Sequence, residues 1–347
     1  MHMTRRPRDG VAEARRLAER GRTAARCGTP VEALGWFDRA LAVLHAEPAG
    51  EMLADVLRWK GTAHRECGDT AAAERLYEES QVVAERIRYL AGAAHAANCR
   101  GIVAQRRGEL ADAEQLYARA SALAEESGEA PLSVMVQRNL GIVGSIRGDW
   151  AVALERFEAS RRTAEATGDD DGVARALNNM AIVHTKQERF DDAERMYERA
   201  LELARKHGDA VSECVCEFNR TEMFIAARRL DDAEGACAIG LEIADRRGDR
   251  LRRAEGLKLL ATIGRLRGDA ASCDALLEEA LALADTGEDQ CLHAEVLRER
   301  ARLLRSRGQL EQARKALRAA RDQFVAVGAR PEVRGVNREL AELQTAV

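Results

Sequence analysis

Small and apolar residues return along this chain at a fixed interval of forty. Starting from Gly21, the same phase holds Gly61, Gly101, Gly141, Ala181, Thr221, Ala261 and Ala301. A second phase reads Ala33, Ala73, Ala113, Ala153, Ala193, Ala233, Cys273 and Ala313, with no insertion or deletion between any two members. Four residues further on lie Phe37, Tyr77, Tyr117, Phe157 and Tyr197, continued by Cys237, Leu277 and Leu317. Three residues later come Ala40, Ser80, Ala120, Ser160, Ala200, Gly240, Ala280 and Ala320. Self-similarity at such a period is the mark of a stacked array, in which no single repeat can bury its apolar face alone. Small residues at i and i+7 with a large one between them occupy one helical face, so two helices can approach closely around the ring.

Each repeat contains two helical patterns with a turn between them. The break falls at Gly28, Gly68, Gly108, Gly148, Gly268 and Gly308, with Glu188 and Arg228 in that slot in repeats five and six. A left-handed residue closes a helix most cheaply when it is glycine. A second series, Gly128, Gly168, Gly208, Gly248 and Gly328, ends the second helices. Asp69, Asp149 and Asp269 are expected to cap second helices, with Asp191 and Asp231 doing so a little later. The expected organisation is a basic tail over residues 1–10, then repeats at 11–50, 51–90, 91–130, 131–170, 171–210, 211–250, 251–290 and 291–330, and a capping helix over 331–347. Such a chain is all-α.

Two stretches carry a family resemblance. Asn139-Leu140-Gly141 with Gly148-Asp149-Trp150-Ala151-Val152-Ala153 and Phe157 resembles a tetratricopeptide repeat, and so does Leu177-Asn178-Asn179-Met180-Ala181 through Arg199-Ala200-Leu201. The resemblance implies a right-handed superhelical α-solenoid of eight helix pairs plus the capping helix, with a concave groove lined by the first helices. The common repeat has about thirty-four residues. The longer repeat here is similar to those of kinesin light chain, the Leu-Gly-Asn spindle adaptor and bacterial peptide-sensing regulators. Repeats six and seven lose the glycine or aromatic signature at Thr221, Arg228, Cys237 and Leu277, so packing there is expected to be looser or differently shaped.

Composition agrees with helices: 46% hydrophobic residues but only 4% aromatic, 32% charged and five prolines in 347 residues. A net charge of −4 gives no general bias toward nucleic acid or membrane. The first 22 residues lack the apolar core of a secretion signal, and no apolar run reaches the length of a membrane span, so a cytoplasmic protein is expected. The eight cysteines read as small core thiols. Cys27 and Cys67 share one helix-end phase, and Cys237 and Cys273 replace core residues. Cys214 and Cys216 point to different helical faces and make a poor metal pair.

No phosphate loop, zinc-protease helix, nucleophile elbow or dinucleotide fingerprint is present, so neither catalysis nor a metal or cofactor is expected. His64 and His184 share an interior phase and read as packed side chains. The resemblance points instead to the groove. Two residues before the small phase stand Glu19, Trp59, Cys99, Asn139, Asn179, Asn219, Leu259 and Glu299. Three successive asparagines could clamp the backbone of an extended peptide, since an amide both donates and accepts. The alternative is that they bond to neighbouring helices and set the angle between repeats. Six groove positions per repeat hold fourteen basic and seven acidic residues, a surplus that favours an acidic peptide.

The expected function is a non-enzymatic scaffold for such a peptide. Its contacts would be Asn98, Asn139, Asn178, Asn179 and Asn219 as amides, with Arg58, Arg65, Arg138 and Lys186 as charges. The alternative is a peptide-sensing regulator acting through a partner protein. A protein or peptide partner is expected, with no nucleic acid, no membrane and a monomeric chain.

Overall fold

The computed structural model describes residues 7–26, 28–45, 50–284 and 290–345. Among these are seventeen α-helices. Repeats one to four supply α1 (Pro7–Arg26), α2 (Pro30–Leu44), α3 (Glu51–Glu66), α4 (Thr70–Arg86), α5 (Leu90–Arg106), α6 (Leu110–Ser127), α7 (Ala130–Arg147) and α8 (Trp150–Thr167). Then follow α9 (Asp170–Lys186), α10 (Phe190–His207), α11 (Ala210–Ala226), α12 (Leu230–Arg247), α13 (Arg250–Arg267) and α14 (Ala270–Ala284). The last are α15 (Gln290–Ser306), α16 (Leu310–Ala326) and α17 (Arg330–Thr345). Odd-numbered helices are the first of each pair.

The expected ten-residue tail is corrected. Helix α1 already begins at Pro7, where proline's missing N–H costs nothing, and Gly10 is buried. Arg5 and Arg6 of that tail, and Cys27, lie outside the described residues.

The turn chemistry follows the glycine series, and Gly128 ends α6 at φ 70°. Three ordinary residues, Arg88, Glu188 and Arg228, adopt the same left-handed conformation, at φ 57°, 59° and 60°. The aspartate caps differ from expectation. Asp69 does accept from the Ala72 N–H at 3.0 Å, but Asp149 makes no side-chain cap bond, and Asp191 and Asp231 lie inside the first turns of α10 and α12. The other aspartate caps open first helices: Asp169, Asp209 and Asp249 accept from Gly172, Ser212 and Arg252 at 2.9, 3.1 and 3.1 Å.

Two compact units divide the chain between Val143 and Gly144, within α7, with residues 106–108 going to the second. In the first unit, the ring column Phe37, Tyr77 and Tyr117 is fully buried against the small phase of its own repeat. A methyl group added at Gly61 or Gly101 would lie 2.8 or 2.6 Å from the Tyr77 or Tyr117 ring. In the second unit, repeat six is packed differently, as expected from Cys237. Phe218 of α11 fills the space instead, and a methyl at Gly240 of α12 would lie 2.4 Å from its ring. At the chain's end α17 buries Val336 and Leu343, and Glu339 accepts from Arg298 at 2.6 Å and Arg302 at 2.8 Å.

A left-handed non-glycine residue costs on the order of 1 kcal/mol. Glu188→Gly and Arg228→Gly are therefore each expected to raise the urea midpoint, corresponding to a gain of about 0.5 kcal/mol in unfolding free energy after the larger unfolded-state entropy of glycine is deducted. Unchanged or lowered midpoints would show that side-chain contacts outweigh the backbone term. Phe218→Ala should cost about 3–5 kcal/mol, because Gly240 and Gly256, which both face the ring, leave nothing else to fill the void.

Candidate functional site

Helices α1, α9, α11 and α13 each lie against their own second helix and also against the next first helix. This packing decides what the asparagines can do. Asn98 and Asn139, from α5 and α7 in the first unit, are buried. Asn139 Nδ2 donates to Asn98 Oδ1 at 2.8 Å, and Asn98 Nδ2 lies 3.5 Å from the Met135 sulfur. The open alternative is thereby resolved for this pair: its amides join neighbouring first helices, since the flank that carries them is covered by the next helix.

In the second unit, Asn178, Asn179 and Asn219 remain half-exposed on α9 and α11. Asn219 Nδ2 donates to Asn178 Oδ1 at 3.0 Å, which leaves one amide nitrogen and one amide oxygen of the pair unused. Asn179 makes no hydrogen bond among the described residues. Half-exposed Ile182 lies one turn further along α9, with Thr185 and exposed Lys186 beyond it.

The expected cationic surplus is largely spent. Eight of the fourteen basic groove residues form ion pairs. Several of these link successive first helices: Lys258 to Glu295 and Arg265 to Glu299, both at 2.6 Å, and Arg305 to Glu342 at 2.8 Å. Arg58 is bound to Asp55 at 2.9 Å and stacks over Trp59, whose ring also lies under Arg22. Arg138 is half-buried and is not a free charge. Arg65 in the first unit and Lys186 in the second carry no ion pair among the described residues. Of the seven acidic groove residues, Glu19, Asp55, Glu255, Glu295 and Glu299 form ion pairs, whereas Glu66 and Glu222 form none among the described residues. From the sequence Glu222 is one of the seven acidic groove residues and nothing more. Its signal was present, since the phase reads Ile102, Ile142, Ile182 and then Glu222.

A second departure sits on the same helix. Glu217 is fully buried, where the equivalent phase holds Leu57, Leu177, Leu257 and Leu297. Arg205 Nη2 donates to Glu217 Oε1 at 2.8 Å, whereas Oε2, with Arg220 at 3.5 Å, has no hydrogen bond. Burial pushes its pKa up, against the opposite pull of Arg220 and Arg205.

Other titratable groups behave as packed side chains. Burial holds His95 down at about 4 and lowers His184, whose Nδ1 has no partner. His64 is half-buried, 3.5 Å from Asp69. Cys214, Cys216, Cys237 and Cys273 are buried and their thiols raised by that burial, whereas Cys67, against expectation, is exposed at the end of α3. Among the described residues no three His, Cys, Asp or Glu side chains gather to hold a metal, and no helix is long and apolar enough to cross a membrane.

The paired helices and the phase of their small residues agree with the family comparisons. The model of the MalT-like TPR region matches residues 131–345, more than half of the chain, and a tetratricopeptide-repeat model matches residues 92–166. The chain belongs to the MalT-like TPR family. Solved structures resemble this TPR protein in fold. A Rap protein complexed with Competence and Sporulation Factor has a TM-score of 0.63 at 13% identity, covering 97% of this chain and 98% of that one. The Rap conjugation gene regulator of plasmid pLS20, in complex with the Phr* peptide, has 0.57 at 18%, covering 76% and 72%. The apo quorum sensor NprR from B. thuringiensis has 0.57 at 12%, covering 95% and 98%. No curated protein matches the TPR sequence.

Glu217 binds its proton more tightly in the native state than in the unfolded chain. Its burial therefore costs nothing below the unfolded carboxyl pKa, and the cost grows as pH rises toward the folded value. Glu217→Gln should raise the melting temperature at pH 7.5, and the gain should close toward pH 4. Gln137, at the same phase, already fits such a site by donating to Ser121 at 3.0 Å. A gain that persisted at pH 4 would point to packing instead. Asn98→Ala leaves the Asn139 amide buried without its partner and should cost about 1–3 kcal/mol in urea unfolding.

Proposed function

We propose that this TPR chain is a non-enzymatic module that binds an extended peptide across the first helices of its second unit. Asn178, Asn179 and Asn219 would take the peptide backbone, with Ile182 beneath a side chain and Lys186 at one side. The observation that carries this reading is the unbonded, half-exposed amide of Asn179 beside the partly used Asn178–Asn219 pair. A peptide's N–H and C=O groups match such a set, whereas an amide ladder offers little to a folded apolar surface. The peptide named in the complex of one structural neighbour supports the same reading.

Because most basic residues of the first helices are already paired, backbone bonding rather than net charge would supply the affinity. An acidic segment would have Arg65 or Lys186 to meet, one in each unit. The likeness to NprR and to Rap proteins over nearly the whole chain favours a second reading, a peptide-sensing regulator whose output passes through a partner protein. Seven described cysteines are free thiols, which suits a reducing cytoplasm.

The test is binding of a random pentapeptide library, read by fluorescence polarisation. Asn179→Ala combined with Asn219→Ala should weaken the selected peptides by about tenfold or more, which is about 1.4 kcal/mol. Full-strength binding by the double variant would end the proposal.

A further inference from the structure

Glu222 is a carboxylate that the fold leaves unanswered. On α11, Cys214, Phe218 and Thr221 are buried, whereas Asn219 is half-exposed and Glu222 and Ala226 are exposed, forming an open stripe. Helix α11 packs against α9 on one side and α13 on the other, so the stripe runs between two neighbouring helices of the same unit. Among the described residues Glu222 makes neither an ion pair nor a hydrogen bond. The surrounding charges are engaged elsewhere or stand off: Lys258 is held by Glu295 at 2.6 Å, Glu255 by Arg252 at 2.5 Å, and Lys186 is unpaired.

We propose that Glu222 is the docking point for a cationic group of the bound peptide, either a lysine or arginine side chain or the free ammonium terminus. The proposal rests on the peptide-binding reading above and adds the chemistry of one subsite. An exposed carboxylate on a stripe flanked by α9 and α13, with no ion pair of its own among the described residues, offers an arriving cation a charge-assisted hydrogen bond. The walls of the stripe push the carboxyl's pKa up although the side chain is exposed, and Lys258 and Lys186 pull it the other way. Isoleucine at the same phase of earlier repeats shows that stacking does not require an acid here. The two lysines also set a limit: a single cation with neutral or acidic neighbours fits, and a basic run is repelled.

The experiment uses the full chain and pentapeptide pools, each with one residue fixed at one position, in N-acetylated and free-amine forms. Lysine or arginine at one position should be preferred about tenfold over norleucine, and Glu222→Gln should reduce that preference to within about twofold. Glu222→Lys should turn the preference toward aspartate and glutamate. Preference confined to the free-amine pools would assign the cation to the peptide's terminus. Peptides that bind with no cation preference would overturn the Glu222 subsite and leave the peptide-binding reading standing. If no pool binds at all, both fall. Glu222 is exposed, so both variants should keep the parent's thermal melt.

Discussion

The closeness of each first helix to its own second helix is the constraint from which the other features follow. Where Gly21 meets Phe37, a methyl group on the glycine would lie 2.5 Å from the ring. A buried aromatic brings a large apolar area, and it can be buried only if the facing helix presents almost nothing. Within a helix, an inserted residue would rotate every later side chain of that helix off its face, and no helix of the series carries one at these phases. Once that contact sets the distance within a pair, α9, α11, α13 and α15 can lie flank to flank in the second unit, which decides the side chains left open there.

Helix α11 shows how the constraint tolerates exceptions. Cys237 withdraws the ring from the second helix, and Phe218 supplies one from the first, with Gly240 and Gly256 making room. The interior stays filled although the positions of large and small residues have been exchanged. The same helix carries a buried acid at Glu217 and an open one at Glu222, neither of which the stacking needs. Departures gathered on one element of a regular array are expected where function competes with packing.

Charge is used mainly along the array. Arg265–Glu299, Lys258–Glu295 and the Glu339 cluster join successive first helices, so cations and anions that look like an unbalanced surface are largely answered by the neighbouring repeat. Arg265–Glu299 and Arg298–Glu339 are largely buried, so removing one partner would leave an uncompensated charge. Their larger consequence is to leave few free charges on the face where a ligand would lie.

The helices, their order and most of their ends were legible from the chain alone, because ring, small residue and glycine recur at intervals that only stacked helix pairs satisfy. Local chemistry sufficed even for Glu188 and Arg228, which take the left-handed slot that glycine fills elsewhere. The candidate site was legible only in part. Asn139 and Asn179 stand at one phase, yet the first is buried against Asn98 and the second is half-exposed and unbonded. Period alone cannot separate them, since the difference depends on which side chain the neighbouring helix brings across. The same holds for Arg65 and Arg265, which share a phase: the second is bound to Glu299 at 2.6 Å and the first has no ion pair among the described residues. Repetition determined the fold; contacts between residues about forty positions apart decided which polar groups remained available.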